Sequence, residues 1–70
     1  MLLSSARIGE VKQITGIWLD EETRDALEEW GIAVDSYIYV AIKAYDAFII
    51  YAKGNRLAIG GELARKIMVK

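Results

Sequence analysis

Apolar and polar positions along this chain follow two periods, and the switches between them mark out the elements. Glu10–Ile17 is β-rich and partly alternating, which predicts a first strand. Gly16 inside it predicts a bulge or bend. Beyond Asp20 the period becomes helical: Thr23, Ala26, Leu27 and Trp30 fall on one stripe, so a helix is predicted over Glu21–Trp30. Asp20 is its N-cap, because its carboxylate can accept an amide hydrogen bond from the first turn. Glu21 and Glu22 sit where the helix dipole favours negative charge. Gly31 supplies the left-handed residue that ends the helix, and Ile32 then packs back on Leu27.

Strand character returns at Tyr37–Ala44 and again at Ala47–Lys53, the latter apolar on both faces. A tight turn at Gly54-Asn55 leads to a strand through Leu57 and Ile59, which alternate with Arg56 and Ala58. Gly60-Gly61 breaks that strand, Glu62–Lys66 makes one helical turn, and Ile67–Val69 is the last strand. A two-residue turn at Gly54-Asn55 pairs Lys53 with Arg56, so Ala52 opposes Leu57 and Ile50 opposes Ile59. Phe48, Ile50 and Ala52 then share the inner face with Leu57 and Ile59. Ile38, Val40 and Ile42 need the same face. Pairing Ile42 with Ile50 requires a three-residue loop, Tyr45-Asp46-Ala47, since a two-residue loop turns one apolar set outward. This register leaves Tyr37, Tyr39, Ile49 and Tyr51 pointing outward, a patch of the kind that marks a partner interface. The predicted fold is mainly β: residues 1–70 as a single domain, a small five-stranded SH3-like barrel. One short α-helix follows strand one, and a single helical turn precedes the last strand.

A chain of 70 residues buries a modest fraction of its surface, so its core needs support. There is no cysteine and no histidine, which removes disulfides, thiolate ligands and imidazole ligands together. Oligomerisation or docking on a partner is left as the support. The formal net charge of −1 gives no bulk attraction for nucleic acid. The charge is unevenly placed: Asp20, Glu21, Glu22, Asp25, Glu28 and Glu29 crowd one segment. Lys43, Lys53, Arg56, Arg65, Lys66 and Lys70 dominate the second half. No apolar run approaches the roughly 20 residues of a membrane helix, and the start lacks the pattern of a signal peptide. The chain reads as soluble and cytoplasmic.

Leu3-Ser-Ser-Ala-Arg-Ile-Gly9, the strand Val11–Ile17, the helix end Leu27-Glu-Glu-Trp-Gly-Ile32 and the closing run Arg56–Val69 together resemble the FeoA family. FeoA is the small cytoplasmic component of bacterial ferrous iron uptake. The same SH3-like domain stands at the C-terminus of DtxR-type metal-dependent repressors. The resemblance covers essentially the whole chain, and the order and spacing of the motifs carry it. The chain departs from the family at the short loop Ala44-Tyr-Asp-Ala47, which lacks the glycine and proline common there, and at Asp35, where glycine is frequent. The resemblance implies a non-enzymatic accessory protein without cofactor. It would dock on the cytosolic GTP-hydrolysing region of a membrane permease, FeoB, with no nucleic acid partner and no direct membrane insertion. Self-association into a homo-oligomer is compatible with that role.

Candidate chemistry is sparse. Glu22, Asp25 and Glu29, with Glu21 and Glu28 beside them, invite a ferrous-ion reading. A row of carboxylates on one exposed helix converges on nothing, however, so it reads as a solvated face. Gly60-Gly61 lacks the lysine and serine or threonine of a phosphate loop. Ser4, Ser5 and Ser36 have no histidine to activate them. Trp30 is expected to pack the helix on the barrel mouth, and Trp18 to be either core or surface. The alternative functional class is a small nucleic-acid-binding barrel, with Lys43, Lys53, Arg56, Arg65 and Lys66 holding a strand stacked on Tyr37, Tyr39 and Tyr51. A purely self-associating module is the other alternative.

Overall fold

The computed structural model describes all residues, 1–70. A 3₁₀ turn at Leu3–Ser5 precedes β1 (Val11–Ile17), α1 (Glu21–Glu28), β2 (Tyr37–Ala44), β3 (Ala47–Ala52), β4 (Asn55–Gly60), α2 (Gly61–Ala64) and β5 (Ile67–Val69). The strands form one antiparallel sheet in the order β4-β3-β2-β1-β5. The predicted five-stranded architecture is present, with one difference. β4 and β5 lie at opposite edges and no ladder joins them, so the barrel is not closed by hydrogen bonds. Side chains close it instead: Ile59 of β4 and Ile67 and Val69 of β5 belong to one buried cluster with Ile14, Ile38, Val40, Phe48 and Ile50. Twist and curl bring the two edges over a common core, and apolar burial holds them there.

Two turns set the register. Between β3 and β4 the central residues are Lys53 (φ +53°) and Gly54 (φ +78°), so Ala52 pairs with Asn55. The expected turn at Gly54-Asn55 is corrected by one position. A hairpin turn of this kind needs positive φ at both central residues, and glycine at the second is the cheapest solution. Ile50 therefore opposes Leu57 and Phe48 opposes Ile59, rather than Ala52 opposing Leu57 and Ile50 opposing Ile59. The slip amounts to two residues, so the predicted inner face survives it: Phe48, Ile50, Ala52 and Ile59 are buried and Leu57 is half-buried.

Between β2 and β3 the turn is two residues, Tyr45-Asp46, with Ala44 paired to Ala47, and the expected three-residue loop is absent. A bulge restores the inner face. Ile42 pairs with Ile49 and Val40 with Ile50, leaving Ala41 as the extra residue. Upstream of it Ile38 and Val40 point inward and are fully buried; downstream the alternation is reversed, and Ile42 is 44% exposed. The placing of Ile42 indoors is thus corrected. The bulge expected at Gly16 is present, as a register shift between Ile14 and Gly16 against β5.

α1 is capped as predicted. Asp20 Oδ1 accepts the Thr23 amide at 3.0 Å. At the other end, Gly31 (φ +91°) and Ile32 donate to the carbonyls of Glu28 and Leu27 at 3.0 and 3.1 Å. The helix stops at Glu28 rather than Trp30, with the last turn continuing to Gly31. Its packing differs from expectation. Only Leu27 is half-buried, while Thr23 and Ala26 are exposed, Trp30 is 54% exposed and Trp18 is 64% exposed. The reason lies at Gly31: a Cβ there would fall 2.5 Å from Lys53 Cβ and 3.0 Å from the Ala52 carbonyl carbon. The helix touches the sheet through its C-terminal turn, and the rest of it stands clear. α2 is shorter than the predicted Glu62–Lys66, spanning Gly61–Ala64, and is tied to the β2–β3 turn by the Gly61 amide donating to the Asp46 carbonyl at 2.6 Å.

Candidate functional site

Strand alternation puts one set of side chains in the core and the other on the convex outer face. Across that face, pairing builds a row through four strands: Val11 opposite Tyr39, Tyr39 opposite Tyr51, Tyr51 opposite Arg56. A second row runs Ile42, Ile49, Ala58. The Tyr39 and Tyr51 rings lie 6.2 Å apart, tilted by 49°, within the range of a favourable aromatic pair. Tyr37 stands at the end of the patch opposite Gln13. All four residues singled out from sequence therefore share the outer face. Tyr37 is the most open at 63%, Tyr39 and Tyr51 are each 41% exposed, and Ile49 is half-buried. Val11, 62% exposed, and Ile42 complete the patch. Sequence reasoning missed them: Val11 had no face until β1 was paired with β2, and Ile42 faces outward only because of the bulge.

Charge around this face is thin. The ion pairs are Lys12–Glu10 at 3.2 Å, Arg65–Asp46 at 3.1 Å and Lys66–Glu62 at 3.9 Å. Lys43 Nζ donates to the carbonyls of Ser4 and Ala6 at 3.1 and 2.9 Å and lies 5.3 Å from the Phe48 ring centre. Of the five cations that a nucleic-acid reading would need, Lys43, Arg65 and Lys66 are thus held by local partners. Arg56, at the end of the outer row, carries no ion pair.

The acidic helix offers no chelating geometry. Glu21, Asp25 and Glu28 border an open depression of about 340 Å³, with Arg24 among them and Ile17, Ala33 and Val34 beneath. No three carboxylates come close enough together to hold a metal ion. Asp20 titrates below the ordinary carboxylate value because the Thr23 side chain and amide hydrogen-bond its charged form. Glu10 is lowered likewise, first by the Arg7 amide, which donates to it at 2.7 Å, and then by Lys12. Both shifts belong to local turns rather than to a reactive centre.

A second concave feature sits on the other side of β4. Leu27, Trp30, Ile32, Leu57, Ile59 and Leu63 line an apolar groove of about 310 Å³ between the end of α1 and the β4–α2 corner.

The FeoA domain profile matches residues 1–70. The chain belongs to the FeoA domain family. A crystal structure of an iron uptake regulatory protein (FeoA) is similar, with a TM-score of 0.89 and 28% identity over 100% of this chain and 95% of that one. The solution structure of the FeoA protein from Chlorobium tepidum has a TM-score of 0.89 at 22% identity, covering 99% of this chain and 68% of its own. A manganese-dependent transcriptional repressor shares the fold at a TM-score of 0.81 and 18% identity. The match takes in 96% of this chain but only 39% of the repressor, so the same fold forms one part of that larger protein. No curated protein sequence matches the chain. FeoA membership implies a role in ferrous iron transport, carried by a small accessory domain. No helix of the structure is long and apolar enough to cross a membrane.

Proposed function

We propose that this FeoA domain serves ferrous iron uptake as a docking module. It acts from the cytoplasmic side on the GTP-hydrolysing region of a FeoB-type permease, without chemistry of its own. The observation that carries the reading is the uncovered outer row Val11–Tyr39–Tyr51–Arg56, with Ile42 and Ile49 beside it. Neither helix packs over it, and an apolar patch with tyrosines and one free arginine has the composition of an interface core. Docking would bias the permease between conformations only as far as the patch binds one of them better.

The test is a binding titration against the purified cytosolic GTPase region. Tyr39→Asp and Ile49→Asp each place a charge in the patch, and each is expected to weaken binding by at least about tenfold. Circular dichroism and thermal melting of the free variants check that the fold persists. Unaltered affinity in both folded variants would remove the outer face from the role.

A further inference from the structure

We propose that β4 is a self-pairing edge, and that two copies of this chain associate by aligning their β4 strands antiparallel about a two-fold axis at Ala58. The turn geometry carries the first step. Ala52 and Asn55 flank the two-residue turn and so exchange both backbone bonds. The ladder then alternates: Leu57 and Ile59 bond to β3, while the amides and carbonyls of Arg56 and Ala58 and the amide of Gly60 point away from the sheet; the Gly60 carbonyl belongs to the first turn of α2. No backbone or side-chain bond elsewhere in the molecule takes them up. β4 also lacks the devices that usually blunt an exposed edge, having no proline, no lysine and no bulge.

The pattern fits a second copy of itself. With Ala58 opposite Ala58, Arg56 falls opposite Gly60 of the second copy; the two Ala58 residues exchange both bonds, and the Gly60 amide of each copy meets the Arg56 carbonyl of the other. On the inner side Leu57 of each copy lies beside Ile59 of the other. The apolar groove of Leu27, Trp30 and Leu63 borders both, so the half-exposed Trp30 gains cover. Charge agrees with this register. Arg56, which has no ion pair, comes two residues from Glu62 of the second copy, whose carboxylate is 84% exposed and whose pairing with its own Lys66, at 3.9 Å, is long and open to solvent. A net charge of −1 per chain adds little repulsion.

Sedimentation equilibrium over a concentration series tests the idea. The wild-type chain is expected to sediment as a reversible dimer. Ala58→Pro removes the central outward amide without touching the β3–β4 ladder, and is expected to raise the dissociation constant by more than about 100-fold. Should that variant fail to fold, the charge pair decides. Arg56→Glu is expected to weaken the dimer by about fivefold, and adding Glu62→Arg to restore it. A chain that stays monomeric up to about 1 mM, a folded Ala58→Pro variant that dimerises like the wild type, or a charge swap that restores nothing would overturn the proposal. Tyr39→Asp, on the outer face, is expected to leave the dimer intact, which separates this edge from the docking patch.

Discussion

At one edge of the sheet, β5 is sealed. The Met1 amino group donates to the Val69 carbonyl at 3.0 Å, the Val69 amide donates to the Met1 carbonyl at 2.8 Å, and Leu2 bridges Met68. Ile67 and Val69 are fully buried beneath this cover. At the other edge, β4 leaves the amides and carbonyls of Arg56 and Ala58 and the amide of Gly60 to solvent, and its Leu57 is only half-buried beside an open apolar groove. In a sheet that is not hydrogen-bonded shut, the chain's own start protects one border and nothing in the monomer protects the other. A small domain can therefore hold its core from one side and keep the opposite side available for association.

The sharpest way to break this contrast is to truncate one core residue at each edge. Ile67→Ala is expected to cost about 2–5 kcal/mol, against about 1–2 kcal/mol for the half-buried Leu57→Ala, measured by urea denaturation of both. Equal losses would mean that the edges do not differ. Gly31→Ala comes next. It needs positive φ and a Cβ pressed against Lys53 and the Ala52 backbone, and about 2 kcal/mol or more is expected from the strain. Melting temperature gives the loss, and hydrogen exchange at Leu27 and Ile32 shows whether the helix detaches at that joint. Removing Met1 and Leu2 strips the cover from β5 and is expected to cost about 1–2 kcal/mol. Faster exchange at the Val69 amide reports it, whereas β4 amides should be unaffected. The smallest effect is at Asp20, remote from both edges. Its pKa is depressed in the folded chain, so its contribution is present above the unfolded value and fades as pH falls through the folded one. Helical circular dichroism should decline slightly below about pH 4, and Asp20→Ala should show that loss already at neutral pH with no further acid step from this group.

Much of the architecture could be read from residue order because it rests on local rules. Asp20 and Gly31 delimit α1 through hydrogen bonds that close within a few residues. The alternation of Tyr37–Val40 and Arg56–Ile59 told inner from outer positions, and Tyr37, Tyr39, Ile49 and Tyr51 do share the outer face. The FeoA likeness was legible in Arg56–Val69 and the helix end, and the family match spans the whole chain. Other features depended on competition between turns and distant partners. Tyr45-Asp46 and Lys53-Gly54 each formed the tightest available hairpin. The bulge at Ala41 then reconciled the first of them with the core, at the cost of exposing Ile42. The apolar stripe of α1 suggested burial, yet Trp30 stands half in solvent because contact at Gly31 holds the helix by its end.

The sequence by itself determined the kinds of element, the caps of α1 and the side of β3, of β4 and of the first half of β2 that seeks the core. Those depend on hydrogen bonds and apolar periods only a few residues long. The tertiary structure alone decided that the chain's first residues cover β5, that β4 remains bare, and which outer side chains stand in one row. Those outcomes join residues far apart in the chain, and the energy that selects among registers is the burial of a core shared by every strand at once.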